Sequence, residues 1–170
     1  NPPHDYAIPG LYFFDRNVFK AFKGKERVKP SDRGEYEISS LYQWLIDHEY
    51  KVKVVEYKGR WLDPGKFNDW LEANQYLLDL KTNGEIKSKL GPGSNLQGRV
   101  SVGKKCKILN SQIRGPVVIG DGVTIIDSYI GPYTSISSNC FIDASNVENS
   151  VLMEGVRIIK IKQPIDNSLI

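Results

Sequence analysis

From residue 96 onward the aliphatic positions keep a beat that belongs neither to a helix nor to an alternating strand. In VVIGDGVTIIDSYIGPYTSI, residues 117–136, Ile119, Ile125, Ile130 and Ile136 stand 6, 5 and 6 residues apart. Extended along the chain, Val102, Ile119 and Ile136 form one track with a period of 17, Ile108, Ile125 and Ile142 a second, and Ile113, Ile130 and Val147 a third. Ser111, Ser128 and Ser145 share that period, and Val102-Gly103, Ile119-Gly120 and Ile130-Gly131 repeat an aliphatic-glycine pair. Three inward aliphatics per 17-residue turn predict a parallel β-helix with three short faces per coil. Its coils stack at about 4.8 Å, the spacing of paired strands. Small Ser and Gly are expected where the backbone turns sharply. The beat loosens after Val147, and DNSLI at 166–170 echoes LNSQI and IDSYI, so a further coil is expected to begin there.

The first part of the chain follows other periods. YAIPGLYFF reads as a buried strand, after which Asp15 caps a short helix carrying Val18, Phe19 and Phe22. Ile38, Leu41, Tyr42, Leu45 and Ile46 recur at helical spacing, YKVKVVEY reads as a strand, and Phe67, Trp70, Leu71, Leu77 and Leu78 stripe a last helix. One or two strands with three helices do not bury themselves, so the rest of a sheet is expected upstream. The opening NPPHDYAIPG, without an initiator Met, fits a piece of a longer protein. The predicted organisation is a partial mixed α/β domain over 1–82, a Gly/Pro/Ser-rich connector over 83–95, and a β-helix over 96–170.

Composition narrows the function. The 170 residues carry a net charge of +3, spread evenly: 15 basic against 14 acidic residues before position 95, and 8 against 6 after it. Neither part presents a basic field for nucleic acid, and no apolar run reaches membrane-spanning length. Cys106, Val123 and Cys140 lie on one 17-residue track, which sets the two sulfurs two coils apart, about 9.6 Å at the Cα atoms and beyond disulfide reach. Free thiols and a cytoplasmic, reducing setting follow. Many β-helices of this type are acyltransferases or metal enzymes, chemistries that ordinarily need histidine. Residues 95–170 contain none, and His4 and His48 read as solvated residues of the other segment.

Several motifs carry a resemblance. YAIPGLYFFD, KPSDRGEYEISSLYQWLIDHEYKV, WLDPGKFNDWLEANQYLL, NSQIRGPVVIGDGVTIIDSYIGPYTSI and ENSVLMEGVRI resemble, in order and spacing, the carboxyl-terminal half of the long-form glucose-1-phosphate thymidylyltransferases, a family of sugar-nucleotide pyrophosphorylases. The resemblance implies that the β-helix is left-handed. It also implies that the complete enzyme joins dTTP and glucose 1-phosphate into dTDP-glucose and pyrophosphate with Mg²⁺. The family's Gly-rich nucleotide loop, its first metal-binding Asp and its Glu-Lys-Pro segment are expected upstream of Asn1, so this chain alone is expected to be inactive. The partners implied are a sugar 1-phosphate, a nucleoside triphosphate and further copies of the chain in a homo-oligomer.

By the same resemblance Arg33 in SDRGE holds the sugar phosphate, a task suited to a guanidinium fork that grips two oxygens at once. Asp63 in WLDPG is the second metal-binding carboxylate, and Mg²⁺ completes such a shell with phosphate and water. Asp63 before Pro64 also reads as a helix N-cap with proline at the first helical position. Tyr12, with the backbone at Ile8 and Gly10, lines the sugar pocket, and Glu35 either serves that pocket or orients Arg33. Ser39-Ser40 and Pro64 depart from the family's usual Thr-Asp and Thr. Three other readings stay open: a non-catalytic β-helix module for oligomerisation or regulation, a nucleotidyltransferase using UTP or CTP, and a hexapeptide acyltransferase.

Overall fold

The computed structural model describes residues 8 and 10–170. It divides into two compact units, Asn1–Trp61 and Leu62–Ile170.

In the first unit a short 3-10 helix, Arg16–Phe22, begins where the Asp15 carboxylate accepts the Asn17 N–H at 2.8 Å. Helix α1, Ile38–Asp47, buries Leu41 and Leu45 on one stripe. The two elements meet over Ala21, Val28 and Leu41, with Val18, Ile38 and Trp44 at the margin. The strand expected over 50–57 is absent, as is one in the described part of YAIPGLYFF, whose Tyr6, Ala7 and Pro9 lie outside the described residues. Residues 10–14 and 50–57 form no ladder, and Phe13, Val54 and Val55 are 86%, 90% and 74% exposed. Their β-branched and aromatic content suits a strand, but extended backbone becomes one only by pairing, and the described residues offer neither segment a neighbour.

The second unit begins with helix α2, Phe67–Lys81. Its N-cap is Lys66, three residues later than the Asp63 that the sequence suggests, so Asp63 caps no α-helix. Twelve strands of two or three residues follow, all in parallel pairs and sorted into three four-stranded sheets. The first sheet joins β1 (Asn95–Gln97), β4 (Gln112–Arg114), β7 (Tyr129–Ile130) and β10 (Asn146–Val147). The second joins β2 (Val100–Val102), β5 (Val117–Ile119), β8 (Thr134–Ile136) and β11 (Val151–Leu152); the third joins β3 (Lys107–Leu109), β6 (Thr124–Ile126), β9 (Phe141–Asp143) and β12 (Arg157–Ile159). This is a parallel β-helix of about four coils, and its three faces and 17-residue turn fit the left-handed form.

Register follows the sequence tracks. Val102 pairs with Ile119 and Ile119 with Ile136; Ile108 pairs with Ile125 and Ile125 with Ile142. These side chains and those of the third track form one buried core. The slip after Val147 is a turn one residue shorter: Ile130 to Thr134 becomes Val147 to Ser150, so Ser135 pairs with Val151. The last segment does resume a coil, since Val147 bridges Ile165 and Val151 bridges Leu169.

The corners explain the small residues. Ser128 Oγ donates to the Ile126 carbonyl at 2.6 Å and accepts the Ser145 N–H at 3.2 Å. Ser111 does the same for Leu109 and Ser128, and Ser145 for Asp143 and Ile161. The serine track is therefore a hydrogen-bonded ladder that satisfies buried backbone N–H groups where the sheets break. Glycine is demanded by space at Gly120, whose missing Cβ would lie 2.7 Å from the Ser138 nitrogen in the next coil. At Gly122 a φ of +70° adds to the demand.

Residues 84–94 continue the ladder although no strand is formed there. Val102 N–H donates to the Glu85 carbonyl, Lys87 N–H to the Val102 carbonyl and Gly91 N–H to the Ile108 carbonyl. Ser88 Oγ bridges the Gly103 carbonyl at 2.6 Å and the Cys106 N–H at 2.9 Å. The Gly/Pro/Ser-rich stretch thus covers the first coil.

Helix α2 lies against β8 in the same unit, with Leu71 and Leu78 buried. Asn74 fixes it: its Nδ2 donates to the Tyr133 carbonyl at 2.9 Å, and its Oδ1 accepts Ser135 Oγ at 2.5 Å. Gln75 Nε2 donates to Asn149 Oδ1 at 2.7 Å, and Arg99 holds both the carbonyl and the carboxylate of Asp79. No helix among the described residues is long and apolar enough to cross a membrane.

Candidate functional site

The loop before α1 is closed by its own backbone. Ser31 N–H donates to the Glu35 carbonyl at 2.8 Å, Gly34 N–H returns to the Ser31 carbonyl at 2.8 Å, and Gly34 takes a φ of +78°. This tight turn places Arg33 at its tip with 76% of the side chain exposed. The guanidinium is steadied at its base, because Arg33 Nη2 meets Glu37 Oε1 at 2.6 Å. Ser31 Oγ donates to the same carboxylate oxygen at 3.2 Å. The Arg33 bond, then that of Ser31, holds the Glu37 carboxyl below its usual range. Such a pair leaves the outer nitrogens of the fork free for an incoming anion.

Glu37, not Glu35, therefore orients Arg33. Glu35 contributes its backbone carbonyl to the turn and its side chain is exposed. In the sequence Glu37 stands four residues after Arg33, just ahead of the helical stripe that begins at Ile38.

Tyr12 is half-buried in an aromatic group, 6.4 Å from the Phe14 ring and 5.8 Å from that of Tyr42, with Phe14 and Tyr42 5.4 Å apart. Burial, and secondarily the Tyr12 charge, push the Tyr42 phenol up. Gly10 is exposed with a φ of +75° and open space where a Cβ would stand, which leaves its backbone accessible to a ligand; Ile8 is also exposed.

Asp63 lies in the second unit, on the exposed strap ahead of α2, where its carbonyl accepts the Gly65 N–H at 2.8 Å. No group of three or more His, Cys, Asp or Glu side chains that could hold a metal occurs among the described residues. Asp63 fits Mg²⁺ as a single hard oxygen ligand in a shell completed by phosphate and water.

His48 stacks on Trp44 with ring centroids 3.9 Å apart, and its Nε2 lies 3.2 Å from Glu26 Oε2. The Trp44 indole N–H donates to the Glu26 carbonyl at 2.6 Å. This arrangement ties α1 to the preceding loop; His4 falls outside the described residues. Cys106 and Cys140 are free, and burial raises the Cys140 thiol first of all.

A helical segment bearing an anchored arginine and followed in the chain by a parallel β-helix agrees with what comparison with known proteins finds. Residues 1–79 match the family described as nucleotidyl transferase. Along its entire length the chain is similar to glucose-1-phosphate thymidylyltransferase of Streptomyces griseus, at 36% identity over 170 residues, and to that of Streptomyces antibioticus, at 37% over 171 residues. It covers 46% of each of these relatives, so it spans about half their length. Similarity extends to the bifunctional protein GlmU of Methanocaldococcus jannaschii, at 37% identity over 93% of the chain and 38% of that relative.

Proposed function

We propose that the chain is the sugar-phosphate side of a glucose-1-phosphate thymidylyltransferase, which forms dTDP-glucose and pyrophosphate from dTTP and glucose 1-phosphate. The observation that carries the reading is Arg33, presented at the tip of a closed turn and steadied from behind by Glu37. Four of the five guanidinium N–H groups remain to grip the sugar phosphate and aim one of its oxygens at the α-phosphorus of the nucleotide. Attack there displaces pyrophosphate, and positioning with charge neutralisation supplies most of the rate. Mg²⁺, when bound, would neutralise phosphate charge, and Asp63 is the residue of this chain that would hold it. Gly10, through its open backbone, and Tyr12 would border the glucose ring. Similarity to the two Streptomyces enzymes over the full chain supports this substrate pair. A homo-oligomeric, cytoplasmic enzyme is part of the proposal.

A chimera tests it: the amino-terminal half of the S. griseus relative joined to this chain, assayed for pyrophosphate release from glucose 1-phosphate with dTTP, UTP or CTP in parallel. Turnover is expected with dTTP and should fall by at least about a hundredfold with Arg33→Gln, the loss of about 3 kcal/mol for a charged bond to a transferring phosphate. The 170-residue chain alone should release none. A folded chimera inactive with all three nucleotides, or one indifferent to Arg33→Gln, refutes the proposal.

A further inference from the structure

The three faces of the β-helix differ in what they show outward. The sheet containing β8 is covered by α2, and the sheet containing β6 carries Lys107 and Arg157 among apolar side chains. The sheet β1-β4-β7-β10 is instead a column of uncharged polar groups: Asn95 beside Gln112, Gln112 beside Tyr129, and Tyr129 beside Asn146. Gln97 and Arg114 pair in the adjoining column.

Two shallow hollows flank Tyr129, which lines both. The first, about 140 Å³, is formed with Asn95, Gln97, Gln112 and Arg114; the second, about 130 Å³, with Asn146, Glu148 and Pro164. A Cβ at Gly131 would strike the Glu148 side chain at 2.4 Å and the Tyr129 ring at 3.2 Å, so glycine there leaves both side chains where they stand. Arg114 has no ion-pair or hydrogen-bond partner among the described residues.

We propose that this face binds a saccharide of two pyranose rings, an acidic ring toward Arg114 and a neutral ring toward Glu148, straddling Tyr129. Planar amides offer a donor and an acceptor side by side, which matches the vicinal hydroxyls of a sugar. The negative face of the tyrosine ring attracts the C–H face of a pyranose. Strand register fixes these groups in place, so binding orders no loop. Charge sets the direction, since Arg114 attracts an acidic group and Glu148 repels it while accepting hydroxyl protons. One cation opposite one acid is a poor track for a phosphate backbone.

Saturation-transfer NMR on the 170-residue chain, with cellobiouronic acid and neutral cellobiose as probes, tests the proposal. Both should bind, the acid more tightly by about threefold to fivefold, the worth of an exposed ion pair. Arg114→Gln should abolish that preference. Tyr129→Ala should weaken both by about tenfold, with Tyr129→Leu as a second variant that keeps strand propensity. Arg33→Gln should change neither, which separates this surface from the nucleotidyl-transfer site. Absence of transfer at millimolar sugar, or binding indifferent to both Tyr129 variants in chains of unchanged circular dichroism, overturns it; so does weakening by Arg33→Gln.

Discussion

Replacing Ser128 by Ala should destabilise the β-helix far beyond the volume it removes. The hydroxyl is the acceptor for the Ser145 N–H, in a corner where Ser128 and Ser145 are 6% and 3% exposed. The Ile126 carbonyl, to which the hydroxyl donates, keeps a second partner in the Ala144 N–H at 3.0 Å. The net loss is therefore one buried donor left without an acceptor, which costs about 1 to 3 kcal/mol. Water cannot replace the lost acceptor without entering the corner. Ser137 is the control, because its side chain makes no hydrogen bond among the described residues and Ser137→Ala should stay within about 0.5 kcal/mol of the parent. Urea unfolding is followed by far-ultraviolet circular dichroism at a wavelength of the β signal, because the tryptophans, at positions 44, 61 and 70, lie outside the coils and their fluorescence would not report on them. With a slope of about 2 kcal/mol per molar urea, the Ser128→Ala midpoint should fall by about 0.5 to 1.5 M. A midpoint shift no larger than that of the control would show that the serine ladder is a consequence of the coil and not one of its supports.

Ile125→Ala, in the middle of the stack between Ile108 and Ile142, should cost about 2 to 5 kcal/mol in the same unfolding experiment, because rigid coils on both sides cannot close the cavity. Gly120→Ala should lower the melting temperature although Ala is the better residue in most contexts, since its methyl would meet the next coil's backbone. The Glu37 carboxyl should titrate below its ordinary value by carbon-detected NMR and rise toward it in Arg33→Gln. A depressed folded-state value means that the stability it contributes is present above the unfolded value and lost as pH falls through the folded one. Cys106 should react with a thiol reagent well before Cys140, whose burial both raises its thiol and blocks access; equal rates would contradict the buried position.

The β-helix could be read almost whole from the chain. Ile119, Ile125 and Ile130 must each point inward once per face, and a solenoid repeats its environment every coil, so a spatial contact such as Ile108 with Ile125 becomes a fixed sequence interval. Cys106 and Cys140 could be judged unable to pair for the same reason. Arg33 is legible from its motif, whereas its pairing with Glu37 depends on how the turn at Gly34 brings the two side chains together. Tyr12 and Tyr42 meet across a separation that no local pattern encodes.

What the sequence determined by itself is the set of features that repeat or lie within one helical turn: the coil period, the inward tracks and the helices striped with apolar residues. Only the tertiary structure decided what depends on a distant neighbour. Residues 50–57 have the composition of a strand yet stay unpaired, because a strand exists only where another backbone supplies its ladder. Helix α2 was settled in the same way. Nothing in its stripe foretells that Asn74 and Gln75 would bind it to carbonyl and amide groups 59 and 74 residues further on, since hydrogen bonds across space leave no period in the chain.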